Sequence, residues 1–113
     1  MSLEATQVRT QKAKPKRQSK EKVYQQPPYH VILLNDDDHT YEYVIRMLGE
    51  LFGHSTSKAF LMAEEVDKRG RAIVDTTTKE RAELKQEQIH AYGADPLSKN
   101  SKGSMSAVIE PAE

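Results

Sequence analysis

The chain has 113 residues, of which 36% are apolar and 30% charged, with Lys+Arg and Asp+Glu balanced at 17 each. That length holds one domain with a small core plus tails, and the charge balance argues against a dedicated nucleic-acid binder, whose affinity would rest on a net basic surface. Cysteine is absent, which excludes disulfides and thiolate chemistry, and no apolar run approaches the roughly 20 residues that cross a bilayer. The start of the chain lacks the apolar core of a signal peptide, so the expectation is a cytoplasmic protein with no membrane or nucleic-acid partner.

Residues 1–23 carry seven basic side chains, Arg9, Lys12, Lys14, Lys16, Arg17, Lys20 and Lys22, against Glu4 and Glu21. Few large apolar residues accompany them, so a disordered basic tail is expected, solvated or contacting a partner. Pro27 and Pro28 give an extended lead-in. The chain thus divides into a tail over 1–26 and a core domain over 27–113. Residues 29–34 predict a first strand, nearly continuous in apolar character and β-branched at Val31 and Ile32, as suits a covered central strand. Asp38 or Thr40 can cap a helix that runs to about Phe52, with Tyr41, Val44, Ile45, Leu48, Leu51 and Phe52 on its apolar face and Gly53 as its stop.

Ser55 or Ser57 starts a second helix. Ala59, Met62, Ala63 and Val66 form its buried stripe, Phe60 flanks it, and Lys68, Arg69 and Gly70 mark its end. Residues 71–75 predict a short strand. Thr77 and Glu80 have capping-box spacing and open a third helix with Ala82, Ile89 and Tyr92 on one side and Gly93 at its end. A polar loop over 95–103 precedes a last, edge-like strand over 104–109, ended by Pro111. The order β-α-α-β-α-β implies an α+β fold: a small three-stranded, largely antiparallel sheet with three helices on one face.

The stretch Asn35-Asp36-Asp37-Asp38-His39-Thr40 is where chemistry would sit. Read as a calcium loop it fails, because position twelve falls on Arg46, Met47 or Leu48 and no glycine occupies the turn. Zinc would need compatibly spaced ligands, and His30, His39, His54 and His90 are scattered. No nucleophile elbow or phosphate-binding glycine loop is present, so neither an enzyme nor a cofactor is expected. Metal binding by the acidic loop trails as the weakest reading, behind two others. The carboxylates favour a helix amino end, or Asn35 and Asp36 hold a cation such as an α-ammonium group, which has three donors and is largely protonated at neutral pH.

The segment Tyr29-His30-Val31-Ile32-Leu33-Leu34-Asn35-Asp36-Asp37, followed by Glu42-Tyr43-Val44, resembles the ClpS adaptor family, in which a strand ending in L-N-D-D precedes a helix containing E-F-V. Residues 78–85 resemble that family's T-x-E-x-A-E-x-K helix start, and the likeness extends through Gln88 and Tyr92. The resemblance implies a monomeric, non-enzymatic adaptor without metal or cofactor. Such an adaptor binds N-degrons, proteins whose first residue is bulky and hydrophobic, and passes them to the N-terminal domain of a Clp-type AAA+ unfoldase. Carried over by position, Asn35, Asp36 and Asp67 would hold the substrate amine, and Tyr41, Val44, Ala63, Val66 and Met105 would form the hydrophobic pocket. Glu80 and Lys85 would contact the unfoldase. The chain departs from the family at Asp38, His39, Thr40 and Tyr41, at Ala63, where the family has methionine, and at Asp67, where it has histidine. These departures leave a second reading: a ClpS-like module that has lost terminal-residue recognition and regulates an unfoldase or another partner.

Overall fold

The computed structural model describes residues 26–112, so most of the expected basic tail lies outside the described residues. The elements are β1 (Tyr29–Leu34), α1 (Tyr41–Phe52), α2 (Thr56–Arg69), β2 (Arg71–Thr77), α3 (Lys79–His90) and β3 (Ser106–Pro111). They follow the expected order. The sheet is antiparallel throughout, with β1 between β2 and β3.

The central position of β1 explains its composition. Val31 and Leu33 face the helices, and Ile32 faces the other way, yet all three are buried. By register Ile32 lies between Ile73 and Val108, and the Arg71–Glu110 ion pair (3.1 Å) bridges the two edge strands across it. The helical face joins Val31, Leu33, Ala72, Val74 and Ala107 to Tyr43, Val44, Met47 and Leu48 of α1, Ala59, Ala63 and Val66 of α2, and Ala82 and Ile89 of α3. Alanine at five of these positions lets three helices approach one narrow sheet.

Local signals set the helix ends. Thr40, Ser55 and Thr78 each turn a side-chain oxygen to a free N–H of the following first turn. Gly53 (φ 75°) and Gly70 (φ 89°) end α1 and α2 in the left-handed conformation that glycine adopts at little cost. A bulge opposes Val31 and Ile32 to Asp75 and Ile73, which leaves Val74 as the extra residue; its carbonyl accepts from His54 Nε2 at 2.7 Å.

Three boundaries and one helix face differ from the sequence reading. The strand expected over 71–75 runs to Thr77, which pairs with Tyr29, so Thr78 and not Thr77 caps α3. Helix α3 ends at His90, ahead of Tyr92 and Gly93. The last strand is Ser106–Pro111 and not 104–109, because Ser104 Oγ accepts from Gly93 N (2.6 Å) and Met105 turns inward. The buried face of α1 includes Tyr43 and Met47, while Tyr41 and Ile45 are only half-buried. Met47→Ala is therefore expected to cost about 2–5 kcal/mol of stability, the range for emptying a fully buried site, and Ile45→Ala clearly less. Denaturant titration of the two variants checks the ranking.

Candidate functional site

The turn between β1 and α1 uses its polar side chains on itself. Asn35 continues from β1 by donating its backbone N–H to Gly70 O (3.0 Å). Its side-chain amide donates to Asp37 Oδ1 (2.9 Å), and its amide oxygen accepts from Asp37 N (3.2 Å). This reciprocal pair holds Asp37 at φ 63°, in the left-handed region that aspartate visits more readily than most residues. Asp36 Oδ1 accepts from Asp38 N (3.0 Å) and lies 2.9 Å from His39 Nδ1. The other ring nitrogen of His39, Nε2, lies 2.7 Å from Gly103 O, and the ring packs against Tyr43 at 4.6 Å.

Asp95 closes the arrangement from the α3–β3 loop. It is 2% exposed; Oδ2 accepts from Thr40 N (2.6 Å) and Oδ1 from Leu97 N (2.8 Å). Burial alone would raise its pKa, but the hydrogen bonds to the charged form outweigh burial and hold it below the ordinary carboxylate value. Tyr43 ties the same loop by donating its hydroxyl to Gly93 O.

These contacts frame a cavity of about 120 Å³ between the turn, α1, α2 and the start of β3. Val44, Ala63, Val66 and Met105 supply its apolar lining, and all four are buried. Asn35, Asp37, His39, Tyr41 and Asp67 form its polar side. At the rim the Tyr41 hydroxyl donates to Asp67 Oδ2 (2.9 Å), joining the first turn of α1 to the end of α2, while the Tyr41 ring packs on Phe60 at 5.6 Å. That hydrogen bond, ahead of the smaller effects of burial and of the Asp67 and Glu64 charges, raises the Tyr41 pKa. The hydroxyl thus stays a donor across the neutral range.

The structure brings together seven of the eight residues expected to bind substrate: Asn35, Asp67, Tyr41, Val44, Ala63, Val66 and Met105. Asp36 is not on the lining. Its carboxylate is turned to His39, and Asp37 occupies the rim instead. The other two expected contacts lie on α3. Glu80 is exposed in its first turn. Lys85 is 8% exposed, and its ammonium donates to Leu51 O (2.6 Å) and Gln88 Oε1 (3.1 Å) beneath the Phe52 ring. Sequence reasoning assigned no role to Asp37, His39 or Asp95. His39 and Asp37 stood within the motif already singled out, but Asp95 carried no signal beyond lying in a polar loop.

An apolar hollow with an acidic and amide rim, on a small α+β scaffold, has the chemistry to take up a group with an apolar body and a cationic head. Comparison with known proteins gives the family. The family described as ATP-dependent Clp protease adaptor protein ClpS matches residues 24–99. The chain belongs to the ClpS family. The ATP-dependent Clp protease adapter protein ClpS of Desulforapulum autotrophicum is 39% identical over 64 residues, 57% of this chain and 62% of that protein. The ClpS of Vibrio cholerae is 37% identical over 78 residues, 67% of this chain and 74% of that protein. The first three relatives are matched over only 61–63% of their own length. Agrobacterium tumefaciens ClpS2, solved bound to L-phenylalaninamide, superposes with a TM-score of 0.68 at 25% identity, over 78% of this chain and all of that one.

The Asp95 contacts predict a specific pH response. A carboxylate with a depressed folded pKa contributes stability above its unfolded pKa of about 4, and loses it as pH falls through the folded value. Asp95→Asn keeps only one acceptor oxygen for two N–H groups. It is expected to destabilise the protein by about 1–3 kcal/mol at pH 7 and to flatten the loss of stability below pH 4. Thermal or urea unfolding of both proteins from pH 2.5 to 7 checks both effects.

Proposed function

We propose that this protein is a non-enzymatic adaptor that binds chains beginning with a bulky hydrophobic residue and delivers them to a Clp-type AAA+ unfoldase. The observation that carries the reading is the cavity itself. Val44, Ala63, Val66 and Met105 line a hollow whose rim holds Asn35, Asp37 and Asp67. A terminal residue differs from an internal one in having an ammonium group, with three donors and a positive charge, next to its side chain. Charge-assisted hydrogen bonds to carboxylate oxygens are about twice as strong as neutral ones, so such a rim selects termini. The ligand of the Agrobacterium relative, L-phenylalaninamide, has this combination of aromatic side chain and free α-amine. Asp36 supports the site by fixing His39, and Tyr41 gates the mouth. No cofactor or metal enters this reading, and the protein acts as a cytoplasmic monomer.

Tyr41 and Asp67 favour a second reading. Their hydrogen bond spans the rim, and the hollow behind it is small for the largest aromatic side chains. On that reading the module regulates an unfoldase or another partner without recognising terminal residues. One experiment separates the two: titration with short peptides beginning with Phe, Leu, Tyr or Trp, each with a free and an acetylated amino terminus. Acetylation removes the charge and two donors. Free peptides are expected to bind and acetylated ones to lose about 1.5–3 kcal/mol. Equal binding of both forms, or of neither, supports the regulatory module.

The exposed first turn of α3, with Glu80, is the surface proposed to meet the unfoldase. Glu80→Ala is expected to weaken docking to the unfoldase N-terminal domain while peptide affinity and stability stay unchanged. Lys85→Ala removes the ammonium that satisfies Leu51 O near the end of α1, so a loss of about 1–3 kcal/mol of stability is expected with it. Pull-down and melting measurements on both variants distinguish docking from folding.

A further inference from the structure

His39 is the polar residue of the rim that the proposed amine contact leaves without a task. Its side chain is 3% exposed. Nδ1 faces Asp36 Oδ1 at 2.9 Å, and Nε2 faces Gly103 O at 2.7 Å. Both partners are acceptors only. A neutral imidazole has one N–H and one lone pair, so either tautomer would press a lone pair against an oxygen at one end. Only the imidazolium, with an N–H at each nitrogen, satisfies both contacts. Ser101 Oγ, 3.3 Å from Nε2, lies equally close to Gly103 O and does not replace the 2.7 Å contact.

The groups around the ring agree with this state. Asp36 faces it from the β1–α1 turn, Asp95 adds a negative charge from the α3–β3 loop, and Tyr43 of α1 packs on its face. Burial alone would lower the ring pKa, but the Asp36 and Gly103 hydrogen bonds and the two carboxylate charges prevail, and it lies above the ordinary 6.5.

We propose that His39 is a positioning residue, an imidazolium brace that ties the acidic turn to the Gly103 segment and so sets the distance between the amine-binding rim and the Met105 wall of the pocket. This rests on the reading of the cavity as a site for terminal amines. Gly103 stands two residues before Met105, which lines the cavity, and Asp36 stands between Asn35 and Asp37, which form its rim. Loss of the ring proton breaks one of the two contacts. Below pH 6.5 both are made. As pH rises through the raised folded pKa, one is lost and the pocket loosens.

Two measurements test the brace. The first needs no ligand: NMR titration of the His39 ring in the wild type and in Asp36→Asn. The wild-type ring is expected to titrate above 6.5 and to shift down in Asp36→Asn. The amides of 103–105 should exchange faster once the ring is neutral. A wild-type ring that titrates at or below 6.5 overturns the proposal. The second measures affinity for a peptide with a free amino-terminal Phe between pH 5.5 and 8.5, in the wild type and in His39→Gln. The ligand's own amine titrates near 7.7–8.0 and affects both proteins equally, so their affinity ratio isolates the ring. Wild type is expected to bind tighter at low pH by about two- to tenfold, the worth of one hydrogen bond, with the advantage shrinking as the ring deprotonates. A ratio constant with pH overturns the brace. If no free peptide binds at any pH, the amine-binding reading fails, and the ring titration still decides the state of His39.

Discussion

The Asp95 carboxylate holds the amino end of α1 from a loop 55 residues further along the chain, accepting the Thr40 N–H at 2.6 Å. The N–H groups in a helix's first turn carry partial positive charge and lack partners within the helix. A buried anion is tolerable beside them because they replace its hydration. The contact joins the segment that carries Asn35, Asp37 and His39 to the one that carries Met105. Neither segment is regular structure, and each is fixed by the other. The rest of the pocket, Val44, Ala63 and Val66, comes from helices already packed on the sheet. Geometry at the rim therefore depends on this ion–backbone contact, together with the His39–Gly103 and Tyr43–Gly93 contacts, as well as on the hydrophobic core.

The same constraint explains why so many charges sit in one short turn. Three consecutive aspartates would repel one another if all faced the same way. Instead two of them have separate neighbours, Asp36 the His39 ring and Asp38 N–H, and Asp37 the Asn35 amide. Asp37 takes the left-handed conformation, so its carboxylate leaves the path of its neighbours and lines the cavity. The helix-capping and cation-binding readings of the motif are thus both parts of one arrangement. Capping falls to Thr40, while Asn35 and Asp37 line the cavity with Asp67 of α2.

Local patterns made most of the scaffold legible. Alternation is absent from β1 because the strand is buried on both faces, and that absence marked it as central. Glycine at 53 and 70 and hydroxyls at 40 and 55 bounded α1 and α2 because caps depend on neighbours only a few residues away. Errors arose where a distant contact decided. Tyr43 looks amphipathic in sequence, yet its hydroxyl finds Gly93 O, which lets the ring be fully buried. Thr77 looks like a cap, but pairing with Tyr29 claims it for the ladder. Ser104 and Met105 have strand-like composition, but a hydrogen bond to Gly93 and a place in the pocket withdraw them. Asp95 offered only a local turn contact to Leu97 N, and the contact that ties it to the site, from Thr40 N, comes from 55 residues earlier. In the site, the apolar wall followed from helical spacing and family resemblance together. The exchange of Asp36 for Asp37 on the rim did not, because it depends on a backbone φ that no composition reveals.

The hydrogen bond between Tyr41 and Asp67 looks at first like a closed door across the rim. The acceptor capacity of a carboxylate argues otherwise. Its two oxygens offer about four lone-pair sites, and the Tyr41 hydroxyl uses one of them at Oδ2. An ammonium group entering between Asn35 and Asp67 can share the same carboxylate without displacing the phenol. The phenol remains protonated because Asp67 itself raises its pKa. Tyr41 also keeps Phe60 as a packing partner, so its ring has an apolar seat beside the mouth. The pair therefore orients Asp67 toward the rim, where an unpartnered exposed carboxylate would sample many rotamers. Pre-ordering a ligand's acceptor lowers the entropy lost on binding. What distinguishes Asp67 from a histidine at the rim is the number of acceptors, two oxygens with about four lone-pair sites against at most one lone pair on a neutral imidazole.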